Sequence, residues 1–233
     1  IRDSNTSSDA SEVPDLPENI QWVQYCFTGV NHFIEAGIIQ PDGVPWCNSA
    51  GAFAKPVAES ALGLLLSQAH HHKAFALAKT WSVAQELDES QAWLYDQQGP
   101  KRVVIVGAGG IGKQLIAYLK PFGAHITAVN RSGRTVEGAN ATLPIERVDA
   151  VWGDADFVVS ILPATAETEH FFNAEVFGAM KSTAVFINVG RGSTVVTDDL
   201  VEALRTGQIA GAGLEVVDPE PLPDGHPLYD LPN

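Results

Sequence analysis

The sequence predicts an α/β chain built around a parallel sheet with helices on both faces. Three observations carry that expectation. From Lys101 onward, five short apolar runs alternate with helical segments, and strands buried on both faces read as such near-continuous hydrophobic runs. The first run leads directly into Gly107-Ala108-Gly109-Gly110-Ile111-Gly112, a G-x-G-x-x-G pattern set between strand and helix. With 233 residues, 45% of them hydrophobic and 18% charged, the chain has a globular composition and enough length to bury a core.

The elements follow in order. Residues 1–19 are rich in Ser, Asp and Pro and read as a loop. Gln21–Phe27 is a strand candidate, Asn31–Ala36 a helical turn closed by Gly37, and Pro41-Asp42-Gly43 a turn. Pro56 opens a long helical pattern through about Ala78, since proline at a first helical position gives up only an orphan N–H. That helix is apolar around much of its circumference and is expected to be buried, with a subunit interface as one way to bury it. Strands are expected at Arg102–Val106, His125–Asn130, Asp156–Leu162, Ala184–Val189 and Ile209–Val216. Helices are expected at Gly110–Leu119, Ile145–Ala150, Asn173–Met180 with Asn173 as N-cap, and Thr197–Arg205 with Thr197 as cap and Gly207 past its end.

The glycine pattern has a physical reading. Gly107 permits the tight turn, Gly109 lets the backbone approach a pyrophosphate, and Gly112 lets the helix pack close to the sheet. Gly110 and Ile111 begin the helix, whose free N–H groups and positive dipole end attract phosphate. This predicts a Rossmann-type, doubly wound sheet that binds a dinucleotide. The segment after the second strand selects the cofactor. An acidic residue there would hold a ribose 2′-hydroxyl; this chain has Asn130-Arg131-Ser132-Gly133-Arg134 instead. Arg131 and Arg134 suit a 2′-phosphate, with Ser132 as a further donor, so NADP(H) is expected over NAD(H). The competing reading makes the two arginines ordinary solvated loop residues.

Charge narrows the partners. Lys and Arg number 14 against 28 Asp and Glu, a net charge of −14. Residues 1–100 hold 4 basic and 12 acidic side chains, and residues 101–233 hold 10 and 16. Neither half attracts nucleic acid or an anionic membrane. Two cysteines, Cys26 and Cys47, without CxxC spacing, argue against a disulfide framework and a zinc site and fit a reducing cytoplasm. No metal site is expected.

Several segments together resemble the D-2-hydroxyacid dehydrogenase family. Thr28-Gly29-Val30-Asn31-His32 is similar to its substrate loop, and Lys55-Pro56-Val57-Ala58-Glu59 to the start of its interdomain helix. Leu162-Pro163 with Thr165 and Thr168 resembles the loop after its fourth sheet segment. Asn188-Val189-Gly190-Arg191-Gly192 resembles its arginine signature, and Gly213 to Leu222 its acidic signature. The resemblance implies that Arg191 holds the substrate carboxylate and keto oxygen, that Gly29 and Val30 donate backbone N–H groups to the same carboxylate, and that Glu220 partners a catalytic histidine. It also implies that Leu162, Pro163, Thr168, Val189 and Glu215 line the cofactor. An arginine fork suits a planar carboxylate. Glu215 stands where many members carry Asp.

None of the seven histidines fits the acid. His70, His71 and His72 are consecutive on a helix and fan apart, His125 starts a strand at the wrong sheet edge, and His226 is a loop element in the family; His170 and His32 lie outside the matched catalytic position, though His32 could line the pocket. The catalytic histidine is expected beyond Asn233, together with a sixth sheet strand. Ile1 and the single methionine, Met180, make the start look missing as well. The resulting expectation is an oxidoreductase between NADP(H) and a small 2-keto or D-2-hydroxy acid, of glyoxylate or hydroxypyruvate type. Residues 1–53 would form part of a flavodoxin-like substrate domain. Residues 54–233 would form the dinucleotide domain, with 54–80 as interdomain and dimerisation helix of a cytoplasmic homodimer. The alternative is a non-catalytic dinucleotide sensor or corepressor-like module.

Overall fold

The computed structural model describes residues 16–95 and 99–233. Most of the expected N-terminal loop, up to residue 15, lies outside the described residues. The chain divides into two compact units, Ile1–Phe53 and Ala54–Asn233.

In the first unit, β1 (Val23–Gln24) pairs in parallel with β2 (Trp46–Cys47). The expected strand over Gln21–Phe27 contracts to two residues, extended by backbone bonds from Val23 N–H to Pro45 C=O at 2.9 Å, Tyr25 N–H to Cys47 C=O at 2.7 Å and Ser49 N–H to Phe27 C=O at 3.1 Å. Helix α1 (Asn31–Glu35) follows, and Gly37 closes it at φ +71°. Phe33 is buried and meets the Tyr25 ring edge-on at 5.0 Å and the Trp46 ring at 5.4 Å. Burial, with Cys26 nearby, pushes the Tyr25 phenol above its usual pKa.

The second unit holds a six-stranded parallel sheet. Its strands are β3 (Arg102–Val106), β4 (His125–Asn130), β5 (Ala141–Pro144), β6 (Phe157–Ser160), β7 (Val185–Asn188) and β8 (Gly211–Leu214). They lie in the order β5-β4-β3-β6-β7-β8, all pairs parallel. Counted from β3, this is the 3-2-1-4-5-6 order of doubly wound dinucleotide folds, with its crevice where the order reverses, at β3 and β6. Besides the five strands expected, the sheet thus has a sixth within the chain, β5. It escapes a sequence reading because Ala-Thr-Leu-Pro is short, sits at the sheet edge and ends on proline.

Strand alternation splits the core in two. Val103, Ile105, Phe157, Val159, Val185 and Ile187 face one layer; Val104, Val106, Val158 and Phe186 face the other. Burying each such side chain contributes about 1.5–3 kcal/mol. The first layer is covered by α5 (Gly110–Leu119) and by α2 (Ala54–Ala69), whose Ala58, Ala61, Leu65 and Ala69 are buried. The second layer is covered by α6 (Ala174–Ala179), α7 (Thr197–Arg205) and a 3-10 helix over Ile145–Asp154.

Three helix expectations need correction. The long helix from Pro56 starts at Ala54 and breaks after Ala69. Pro56 still sits in the first turn, where its missing N–H costs nothing. His71 adopts φ +51°, and α3 (His72–Ala78) begins anew, so the three histidines do not share one helix. Ala58, Ala61, Leu65 and Ala69 of α2 are buried within the chain's own core. Finally, Thr197 does not cap α7: Val196 is the N-cap, and the Thr197 hydroxyl donates to Asp218 C=O at 2.6 Å. Asn173 does cap α6, accepting from Glu175 N–H at 3.1 Å and Val176 N–H at 3.2 Å.

Candidate active site at the strand ends

The carboxyl ends of β3, β6, β7 and β8 are locked together through three glycines. Gly107, at φ +95°, packs so tightly on the loop after β6 that an added Cβ would lie 2.6 Å from Ile161 O. Gly190, after β7, presses on the same peptide from the other strand, where a Cβ would lie 2.5 Å from Leu162 O. Gly192 then meets the loop after β8, where a Cβ would lie 1.9 Å from Val217 O. The phosphate loop, the Leu162-Pro163 loop, the Arg191 loop and the Asp218-to-Glu220 loop are thus stacked backbone to backbone. The close approaches of Gly190 and Gly192 join segments far apart in sequence, and no local pattern announces them.

The phosphate-loop residues stand as a dinucleotide needs. Gly107 and Ala108 N–H groups both donate to Val129 C=O at 2.9 Å, tying the loop to the end of β4. Gly109 is the N-cap of α5 and provides no side-chain cap, and no described side chain accepts from the first-turn N–H groups of Gly110, Ile111 and Gly112. A Cβ on Gly109 would come no nearer to a described atom than 4.0 Å, to Gly107 O. Protein packing therefore does not require glycine there, whereas a phosphate seated on the helix end would. Gly112 does the packing work: its Cβ would meet Ala108 Cβ at 3.3 Å and Ile105 Cγ2 at 3.4 Å.

The loop after β4 is shaped by Asn130. Its Nδ2 donates to Arg134 C=O at 2.7 Å and its Oδ1 accepts from Ser132 N–H at 3.1 Å. The Ser132 hydroxyl is turned inward onto Asn130 and the Arg134 N–H. Arg131 and Arg134 are exposed and form no ion pair with a described residue. Across the crevice, the Glu167 carboxyl is held below its usual pKa, first by the Thr165 hydroxyl, then by its own backbone N–H and by the Arg131 charge. The Thr168 hydroxyl is committed to its own loop, donating to Pro163 C=O at 2.6 Å. Thr168 therefore shapes the loop after β6 through its hydrogen bond rather than offering a free hydroxyl.

Arg191 follows β7 with its side chain exposed and Nη1 donating to Gly190 C=O at 2.7 Å. It forms no ion pair with a described carboxylate. Val189 is buried and donates to Ser160 C=O, and Glu215 N–H donates to Asn188 C=O at 3.0 Å, leaving the Glu215 side chain exposed at the end of β8. Glu220 is exposed on the loop that Gly192 braces, between cis Asp218–Pro219 and cis Glu220–Pro221 peptides. In the first unit, Val30 is the N-cap of α1 and its C=O accepts from Phe33 N–H at 3.0 Å; the Gly29 and Val30 N–H groups are not used in that turn. His32 Nε2 there is buried without a partner among the described residues. Among the described residues, no group of three His, Cys, Asp or Glu side chains could hold a metal, and no helix is long and apolar enough to cross a membrane.

Residues 62–233 match the family model of the D-isomer specific 2-hydroxyacid dehydrogenase NAD binding domain. An uncharacterized protein encoded in the proB 3′ region of Corynebacterium melassecola is 50% identical over 96% of this chain and 72% of its own length. The Mus musculus glyoxylate reductase/hydroxypyruvate reductase is 33% identical over 92% of this chain and 65% of its own length. Among solved structures, the NADPH-dependent glyoxylate/hydroxypyruvate reductase of Sinorhizobium meliloti, in complex with NADP and sulfate, superposes with a TM-score of 0.77 at 28% identity. It covers 91% of this chain, which spans 66% of it. The chain thus covers slightly less than two thirds of the length of these two reductases.

Proposed function

Because the chain belongs to the D-isomer specific 2-hydroxyacid dehydrogenase family, we propose that it is an oxidoreductase reducing small 2-keto acids to D-2-hydroxy acids with NADPH. Glyoxylate and hydroxypyruvate are the first substrates to test. The observation that carries this reading is the juxtaposition at the crevice. An uncapped helix end for pyrophosphate and an unpaired arginine for carboxylate flank one peptide, Ile161–Leu162, pressed between Gly107 and Gly190.

When bound, NADPH supplies the hydride. The chain's own residues do the rest. Gly110, Ile111 and Gly112 bind the pyrophosphate through main-chain N–H groups. Arg131 and Arg134 take the 2′-phosphate, with Asn130 and Ser132 holding their loop in shape. Leu162, Pro163, Thr168 and Val189 form the cofactor wall, and Glu215 faces the nicotinamide. Arg191 grips the carboxylate and draws electron density onto the keto oxygen; the family resemblance assigns the N–H groups of Gly29 and Val30 to the same carboxylate. The family resemblance assigns the proton to a histidine, expected past Asn233, whose imidazolium Glu220 stabilises.

A homodimer completes the reading. Helices α3 and α4 (Ala84–Glu89) bury none of their residues, and Leu77, Trp81, Trp93 and Tyr95 are 57%, 90%, 55% and 68% exposed around them. Apolar exposure on this scale marks a protein interface. Free thiols at Cys26 and Cys47 support a cytoplasmic location.

The test is keto-acid-dependent oxidation of NADPH by the full-length protein, followed at 340 nm as an on-the-order-of-micromolar KM assay against glyoxylate and hydroxypyruvate. Turnover should exceed that with NADH, and Arg191→Ala should lower kcat/KM by roughly 10²-fold or more. NADPH binding without turnover on any 2-keto acid would refute the reductase and leave a dinucleotide-binding module.

A further inference from the structure

Strand β7 ends on a residue the sheet does not ask for. Val185, Phe186 and Ile187 are apolar and buried, yet Asn188, at 1% exposure, buries an amide at the strand's end. A buried amide is costly unless its donor and acceptor are both used. Both are used, and both on the loop that carries Arg191: Oδ1 accepts from Gly190 N–H at 3.1 Å, and Nδ2 donates to Arg191 C=O at 3.0 Å. Thr194, fully buried one turn later, adds its hydroxyl to the same carbonyl at 2.7 Å and its N–H at 3.3 Å.

The register offers an internal contrast. Ser160 of β6 pairs with Asn188, is equally buried, and its hydroxyl meets no partner among the described residues. A polar side chain at this level is thus not needed for the sheet itself. Arg191, meanwhile, is a long, exposed side chain with many rotamers, and among the described residues its side chain bonds only to Gly190 C=O.

We propose that Asn188 and Thr194 are positioning residues: they clamp the Arg191 carbonyl from two sides and thereby aim its guanidinium at the substrate carboxylate. The inference rests on the assignment of Arg191 to that carboxylate. The clamp fixes where the side chain starts, so its loss enlarges the space the guanidinium searches and weakens substrate capture, with little effect on the phosphate loop two strands away.

The experiment uses the full-length protein with four substitutions: Thr194→Val, which keeps the shape and removes the hydroxyl; Thr194→Ser, which restores it; Asn188→Asp, which keeps the acceptor and removes the donor; and Arg191→Ala. Calorimetry gives the Kd of NADPH and, with cofactor bound, the Kd of oxamate, a non-reducible carboxylate analogue of a 2-keto acid. Thr194→Val and Asn188→Asp should each weaken oxamate about tenfold and raise the glyoxylate KM in step, the scale of one lost hydrogen bond. NADPH affinity should stay within about twofold, and Thr194→Ser should behave like the parent. A role confined to folding would move both ligands together and would not discriminate serine from valine. Unchanged oxamate binding in Thr194→Val, equal loss of NADPH, or failure of serine to rescue overturns the clamp; if one variant does not fold, the other decides. Retained oxamate binding in Arg191→Ala refutes instead the assignment beneath it.

Discussion

Replacing Gly192 by alanine tests the way the strand-end loops are held together. The new Cβ would lie 1.9 Å from Val217 O, 2.1 Å from Val217 C and 2.8 Å from Asp218 N, whereas real Cβ atoms essentially never approach within 3.0 Å. The partners are backbone atoms with no rotamer to escape into, so the loop bearing Glu220 must retreat from the Arg191 loop by at least the 1.1 Å between 1.9 and 3.0 Å. Overpacking of this kind costs about 1–3 kcal/mol, or a drop of roughly 3–10 °C in Tm for a domain of this size. The functional cost is larger, because a displacement of about 1 Å at reacting groups lowers rates on the order of 10²-fold. Thermal melting and steady-state kinetics with glyoxylate read the two effects, and NADPH affinity should change little since the clash lies on the substrate side. Gly178→Ala is the control: it sits in α6 with nothing within 4 Å of its Cβ, and gains up to about 1 kcal/mol from helix propensity. A Gly192→Ala protein that melts and turns over like its parent would refute the braced-loop reasoning.

Three further outcomes follow from the same geometry. Arg131→Ala with Arg134→Ala should raise the KM for NADPH by roughly 10–100-fold while leaving that for NADH within about twofold, because charge-assisted bonds to a 2′-phosphate are lost and nothing else is; an equal change for both cofactors refutes the assignment. Glu167 should titrate below the usual glutamate range by carbon-detected NMR, and Thr165→Val should bring it back further than Arg131→Ala does, the hydroxyl being the leading cause. Since its folded pKa is lowered, what the carboxylate adds to stability is present above its unfolded pKa and lost as pH falls through the folded one. Ser160→Ala should leave Tm the same or higher, because it deletes a buried hydroxyl that bonds to none of the described residues; a clear fall in Tm would show a partner.

The phosphate loop and the central strands were legible because their signals are local. Arg102–Val106 is a continuous apolar run, and Gly107 to Gly112 follows without a gap. Strand β6 is shorter than its apolar run for a physical reason: Ile161 and Leu162 are as apolar as the strand before them, yet the paired register ends at Ser160, Ile161 adds only its N–H to Val106 C=O at 2.8 Å, and the peptide after it is pressed between Gly107 and Gly190. Arg191 was legible from its place after an apolar run and from the family resemblance. Asn188, Thr194, Gly190 and Gly192 were not given roles, since each owes its importance to a partner it meets only after folding. Thr197 shows the same limit in reverse: its sequence context favours a cap, and tertiary contact gave its hydroxyl to Asp218.

The peptide pressed between Gly107 and Gly190 bears on how this scaffold can be altered. A loop transplanted from a relative after β6 would have to follow the same backbone path at Ile161–Leu162, or it would not seat between its two flat neighbours. Libraries aimed at new substrates can therefore randomise the loop tips beyond Pro163 and beyond Glu220, while the stems travel as one inherited block. Recombination breakpoints between β3 and β8 that split this block should yield few folded progeny, and breakpoints outside it should yield many.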